Sequence, residues 1–452
     1  MKTRFYEDVY MKKILQSFML ILFLSALNLY AEDGEEKQAE EVELTVEDAV
    51  EYAKKHSRTI RSAAIDVDSK ADARNHSLNA FLPDVNFSGT ISKPNEGTAE
   101  KEIDNYSAIG SASISLSWGL SIIQKVKKAN IDYKNGLLSW DETVRQNERD
   151  VKKLFYALLL QQKTLETDKA SLSNTKKRYE NTEKSYRNGG SSKINFLQSK
   201  VTYQNMKRDI EKAEIALNRQ LREFASILGL SPETKVILSG SLETQIVVLN
   251  KEELLSLHSA YSNQVESLEL QIQSVESQMK ALNLDSWTPT LSFNYATKQT
   301  MTGLDNDWFD SSSWTDKGSA SLTLSWNFTN VLPFSNNRIK YHDLERQKEK
   351  LELQLEQKKD DILLDSQKLF DELQSSAVSL ESCRENIALA EESYSLVSRA
   401  YNAGSADLIE VRDAEEQLNK SRLSEQSELY TYICALTDLE YMLDLPDGWR
   451  NK

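Results

Sequence analysis

Side chains able to do chemistry are few in this sequence and widely spaced. The four histidines, His56, His76, His258 and His342, are scattered, and none belongs to an HExxH pair. There is no GxSxG elbow, no Walker loop and no dinucleotide glycine run, so acyl transfer, phosphoryl transfer and hydride transfer all lack their usual residue sets. Cys383 and Cys434 sit in helical patterns without CxxC or His/Cys ligand spacing, which argues against a disulfide framework or structural zinc. The expectation is a protein that is no enzyme, with no cofactor and no metal. One pair of acids stands out. Glu410 and Asp413 lie three apart, and on a helix that spacing puts both carboxylates on one face. Ordinary solvated helix charge is the competing reading of this pair, since Glu415 and Glu416 follow directly.

The elements that must position this pair are long helices. Among 452 residues there are 14 Gly and 6 Pro, about a third of the usual share of these breakers, so most elements should run long. From about Ser121 to Arg187 the residues Val144, Val151, Leu154, Phe155, Leu158, Leu159 and Leu165 form one apolar stripe at heptad-like spacing. At about 1.5 Å per residue such a helix reaches roughly 100 Å, too long for a compact domain. Asn336 to Tyr401 repeats the length and the stripe. Each long segment ends at a glycine turn, "YRNGGSSKINF" or "YNAGSADLIEV", and a returning helix follows, 191–229 or 405–443. The stretch from Leu44 to Leu82 reads as helix as well, with Thr45 as N-cap and Asp48 in the capping-box position.

Four short stretches break the helical period. In "GSASISLSW", Gly110 to Trp118, the residues Ala112, Ile114, Leu116 and Trp118 alternate with serines. "SASLTLSWNF", Ser319 to Phe328, sets Ala320, Leu322, Leu324, Trp326 and Phe328 against Ser and Thr in the same way. "VNFSGTIS" after Pro83 and "LSFNYAT" after Pro289 are weaker versions. The period is that of a strand. The predicted strands run about 84–92, 110–118, 290–298 and 319–328. A soluble sheet would turn the apolar side to a core; a membrane barrel turns it to lipid and lines its lumen with the polar side. Four strands cannot close a barrel, and an open edge cannot face lipid, so several chains would have to contribute. A soluble four-stranded sheet capping a helical bundle is the competing arrangement.

The N-terminus points to export. "MKKILQSFMLILFLSALNLYA" begins with Lys12 and Lys13, continues as an apolar run and reaches the small residue Ala31 before an acidic stretch, the layout of a secretory signal peptide over 1–31, with translation expected to start at Met11. A membrane anchor is the alternative, although the run is short for a span. An acidic, disordered tail is expected over 32–43. The net charge of −15 leaves nothing to neutralise phosphates, which argues against nucleic acid as a partner.

The chain is an internal duplication. "SLNAFLPDVNF" corresponds to "ALNLDSWTPTLSF", "ISLSW" to "LTLSW", the two glycine sentences to each other, and "ILGLSP" to "MLDLPD". The first repeat is expected over 44–230 with its tip at about 187–195, a linker over 231–250, the second repeat over 251–446 with its tip at about 402–410, and a tail over 447–452. With that order the sequence resembles the TolC-type outer-membrane efflux channel family over about residues 44 to 446. The resemblance implies a mainly α fold with a transmembrane β-barrel portion: duplicated helical hairpins and four strands per chain, a homotrimer with a 12-stranded barrel in outer-membrane lipid, and an α-helical periplasmic tunnel. It implies an exit duct of a tripartite efflux or secretion system, partnered by a periplasmic adaptor and an inner-membrane transporter. It also implies that Gly189, Gly190, Ser192, Gly404, Ser405 and Asp407 form the periplasmic tip turns and the adaptor contact. Glu410 and Asp413 match the paired acidic rings that narrow the family's pore, and Tyr401 with Asn195 matches a contact of the closed state. The sequence departs from the best-known pattern there, because Asn195 replaces an aspartate and Ala406 an arginine, so a charged lock is missing. A duct dedicated to type I protein secretion uses the same family. A secreted structural coiled coil without a channel is the alternative of another class, and it has no use for strand alternation in both halves.

Overall fold

The computed structural model describes residues 41–93, 107–242, 262–302, 310, 314–403, 405–443 and 445. The signal peptide, the tail up to residue 40, residues 243–250 of the linker, residues 251–261 of the second repeat, Gly404 and the 447–452 tail lie outside them.

Two helices of 67 residues each, α3 (Ser121–Arg187) and α6 (Asn336–Asn402), run the length of the described chain. Neither contains a proline, and one face of each carries a continuous apolar stripe, so nothing in the sequence interrupts them. Shorter helices flank them: α2 (Arg58–Asn75), α4 (Lys193–Leu228), α5 (Asn263–Trp287) and α7 (Leu408–Met442). Near the strands the packing order is α2, α3, α5, α6. Towards the turns α4 replaces α2 beside α3, and α7 replaces α5 between α3 and α6. The same sequence offset separates Ser121 from Asn336, Phe155 from Phe370, Gly189 from Gly404 and Leu228 from Leu443. Both halves bury the corresponding positions, Phe155, Leu158, Leu165 and Leu228 in one and Phe370, Leu373, Leu380 and Leu443 in the other.

At mid-length the first core cluster joins α3 and α4 to the N-terminal elements. Strand β1 (Glu41–Leu44) pairs in parallel with β4 (Lys235–Leu238), and helix α1 (Val46–His56) follows β1. Two sequence expectations are corrected here. Residues 41–43 are strand, not disordered tail, and part of the expected linker is their partner, because Leu44, Val236 and Leu238 are all buried against the Phe155 cluster. The stretch from Leu44 to Leu82 is not one helix. It breaks at Ser57, and its last six helical residues, His76–Phe81, form a 3₁₀ turn. Thr45 caps α1 in a reciprocal capping box with Asp48, whose carboxyl the Thr45 hydroxyl and amide hold below the usual range.

Gly229 packs against this break. It terminates α4 with φ = 86°, and a Cβ there would run into the backbone carbonyl of His56, the last residue of α1. Nearby, α3 and α7 are tied by Lys153 to Asp438 at 2.7 Å and by a hydrogen bond from the Tyr441 hydroxyl to Glu142. Burial and the Glu142 charge push the Tyr441 hydroxyl up to about 12, so it remains a donor at any ordinary pH. Gly189 also has a positive φ, 74°, but open space surrounds its missing Cβ. Gly189→Ala should therefore cost only the left-handed penalty, about 1 kcal/mol, whereas Gly229→Ala adds a backbone collision. Thermal melts followed by helix ellipticity should show a clearly larger fall in Tm for Gly229→Ala. Equal falls would contradict the packing at His56.

Candidate functional site

The strands form one antiparallel sheet whose order is β2 (Asp84–Ser92), β3 (Ser107–Trp118), β5 (Thr290–Thr302), β7 (Ser319–Ser325); the two-residue strand β6 (Thr315–Asp316) extends the β7 side of β5. The registers bring Val85, Ile114, Tyr295 and Ala320 into one row and Leu116, Phe293 and Leu322 into the next, so the apolar residues of all four strands share a face. Phe87 is 80% exposed and Leu322 68% exposed, so among the described residues most of that face is uncovered, while Ala108 and Met301 at its far end are buried. The opposite face is hydroxyl-rich, with Ser88 bonded to Ser111 at 2.7 Å and Ser117 to Ser292 at 3.2 Å. β2 and β7 are the two edges. β3 and β5 are longer than the sequence reading expected. β7 is shorter, ending at Ser325, because the Trp326 indole turns to donate to the Ser286 carbonyl (3.3 Å) and a 3₁₀ turn, Phe328–Val331, follows. Trp118, Trp287, Trp326 and Phe328 are exposed at the end of the sheet where the helices begin.

At the far end of the helices lie the two turns. In the first, Gly190 N donates to Ser185 O (2.8 Å) and Gly189 N to Tyr186 O (3.0 Å), the two bonds of a Schellman cap with Gly189 as its left-handed residue. Ser192 then caps α4, its hydroxyl accepting from Asn195 N at 3.1 Å. The second turn repeats the outer bond, Ser405 N to Ala400 O at 2.9 Å. Asp407 ends this turn, and its carbonyl accepts from Val411 N. Rings zip the first hairpin: Tyr186 stacks on Phe196 (5.3 Å), Phe196 on Tyr179 (6.1 Å) and Tyr179 on Tyr203 (5.7 Å). Between the hairpins, Glu415 of α7 is 7% exposed and ion-paired with Arg178 of α3, and Asn174 donates to it at 3.4 Å. One turn on, Asn419 donates to Ser171 at 2.9 Å. Among the described residues no helix is long and apolar enough to cross a membrane, and no group of three His, Cys, Asp or Glu side chains could hold a metal.

Comparison with known proteins decides what this arrangement belongs to. A family model described as "Outer membrane efflux protein" matches residues 49–230 and 254–443. The chain belongs to that family. Members of this family are passive channels, and the outer membrane efflux protein is not an enzyme. Its fold is similar to that of the Campylobacter jejuni CmeC outer membrane channel, with a TM-score of 0.71 at 11% identity over 88% of this chain and 85% of that one. It is similar also to VceC of Vibrio cholerae, with 0.67 at 14% over 88% and 95%, and to the open state of the Neisseria gonorrhoeae MtrE channel, with 0.65 at 14% over 88% and 88%. No curated protein sequence matches.

Within the efflux protein the acidic pair lies on an exposed face. Glu410 and Asp413 both point away from the chain's own packing, whereas Val411, Glu415 and Leu418 face inward. Asp413 meets only its neighbour Arg412, at 3.1 Å. Tyr401 and Asn195 share no hydrogen bond within the chain. Asn195 instead lines a hollow between the hairpins with Arg178, Asp407 and Arg412. Residues that sequence reading passed over are Glu415 and Arg178. Glu415 looked like one more helix acid, and the signal that could have singled it out is its place between Val411 and Leu418 on the apolar stripe. The faces of the sheet give a prediction. Leu324→Arg should cost about 2 to 4 kcal/mol if the residue faces lipid, and should abolish heat-resistant oligomers in membrane fractions, while Ser325→Arg is tolerated. Equal effects would overturn the assignment of faces.

Proposed function

We propose that three copies of this chain close a 12-stranded barrel in the outer membrane, β7 of each copy pairing with β2 of the next, and that the helices continue it as a periplasmic tunnel. The observation that carries this reading is the largely exposed apolar face of a sheet whose two edges are open among the described residues. In lipid, unpaired backbone groups cost several kcal/mol each, so edges of that kind must meet one another. Strands of 7 to 13 residues suit a tilted crossing of the hydrocarbon layer. The duct is passive, and substrates reach it from an inner-membrane transporter through a periplasmic adaptor that docks on the turns at Gly189, Gly190, Ser192, Gly404, Ser405 and Asp407. A structural rod would have no use for the sheet. Crosslinking of the detergent-extracted protein should stop at three copies, and a stable membrane-embedded monomer would overturn the architecture.

Glu410 and Asp413 form the constriction in this reading. On three copies they bring about six carboxylates to one axis, where their combined charge attracts cations. Tyr401 and Asn195 support the closed state by contact rather than by a charged lock. In planar bilayers the wild type should prefer cations and be blocked by divalent ions, and Glu410→Ala with Asp413→Ala should weaken both while leaving trimers intact. Unchanged selectivity and block in the double variant would move the constriction elsewhere.

A further inference from the structure

Where the sheet meets the helices is a hollow of about 410 Å³ between the end of α5, the 3₁₀ turn and the start of α6. Its walls include Asn283, Trp287, Asn330, Arg338 and Tyr341, and no Asp or Glu lines it. Arg338 lies over the Tyr341 ring, 5.3 Å from its centre, and makes no ion pair with any described residue. His342, at the rim, is held by Glu345 at 3.1 Å. The Trp326 indole, just past β7, donates to the Ser286 carbonyl at 3.3 Å, and Asn337 of α6 donates to the Ser286 hydroxyl of α5 at 3.2 Å. Trp326 follows Ser325, the last residue of β7, so the hollow lies where the sheet passes into the helices. Trp287 in its wall is 60% exposed, and Phe334, next to Pro333 in its wall, is 92% exposed. Lys340, Asp343 and Leu344, on the opposite side of α6, line a separate hollow with Lys125.

We propose that this hollow binds the phosphate headgroup of an anionic phospholipid from the periplasm-facing leaflet, with Arg338 as the phosphate ligand. This rests on the reading that the apolar face meets lipid. At that boundary Trp and Tyr rings occupy the headgroup level, and a guanidinium offers a planar pair of donors to a phosphate. An arginine without an ion pair among the described residues, in a hollow that no described Asp or Glu lines, is complementary to an anion. The same lack of acids in the walls gives the ammonium of an ethanolamine headgroup no carboxylate inside the hollow to pair with, so a phosphatidylglycerol-like or cardiolipin-like headgroup fits better.

The test uses the full-length protein extracted from membranes, as wild type, Arg338→Gln, Arg338→Lys and Arg346→Gln; Arg346 pairs with Asp343 away from the hollow. Native mass spectrometry measures binding of added phosphatidylglycerol, phosphatidylethanolamine or inorganic phosphate, and flotation with phosphatidylglycerol vesicles is measured in parallel. The wild type should float and should bind phosphatidylglycerol about tenfold more tightly than Arg338→Gln, the value of one charge-assisted hydrogen bond. Arg338→Lys should be intermediate and Arg346→Gln unchanged, with phosphatidylethanolamine weaker throughout. Equal binding by wild type and Arg338→Gln, with flotation intact, overturns the headgroup site alone. Displacement of the lipid by inorganic phosphate shows a site for free phosphate and overturns the lipid assignment. Failure of the wild type to float removes the membrane reading and the headgroup with it.

Discussion

The outward backbone groups of β2 and β7 have no strand beside them among the described residues, and the face between them is apolar and largely exposed. Water could satisfy the edges but would be poorly matched to Phe87, Leu322 and Leu324, and lipid could cover the face but not the edges. Closure with further copies meets both demands at once. The position of the helices follows from the same constraint. Strand order β2, β3, β5, β7 is also the order of the helices they join, α2, α3, α5, α6, so each strand passes into the helix directly beneath it and no connection crosses another.

Duplication made two similar hairpins, but they are not held alike. The first tip has its ladder of rings, Tyr186, Phe196, Tyr179 and Tyr203. The corresponding positions of the second tip are Tyr401, Val411, Tyr394 and Leu418, so stacking is lost at two of the four. Such ring pairs contribute about 0.5 to 1.5 kcal/mol each beyond their burial. What holds the start of α7 instead is its tie to the first hairpin, Glu415 with Arg178 and Asn174. A buried pair of this kind adds little over an apolar contact, but removing one partner costs about 3 to 5 kcal/mol. It acts more as a registration device than as glue, fixing which turn of α7 lies against which turn of α3.

Much of this was legible in the sequence, for identifiable reasons. Glycine and proline are so rare that the long helices had few places to end, and the bonds at Gly190 and Ser405 reflect the two glycine sentences directly. Serine alternating with Ile, Leu and Trp marked the sheet. What stayed hidden depends on contacts between distant segments. β1 and β4 are four residues each, too short to show a period, and pair across almost two hundred residues. The break at Ser57 lies against Gly229, and the side chain just past the end of β7 bonds a carbonyl on α5. Burial of Glu415 exists only once α3 lies alongside it.

Continuity of the helices also limits how the tips can move. α3 and α6 pass unbroken from the sheet to the turns, and a straight helix transmits displacement but does not fold in the middle without a kink-forming residue. The partner helices are interrupted. α4 ends at Gly229 and α7 at Met442, both at mid-length, where β1, β4 and the Phe155 cluster bind the layers together. Bending is therefore resisted at the middle and shared gradually over the free lengths beyond it. Of those lengths, the α6–α7 hairpin lacks the stacked rings, and its start is registered by a single buried carboxylate. A displacement that widens the tip end meets its lowest resistance there, beside the exposed face that carries Glu410 and Asp413.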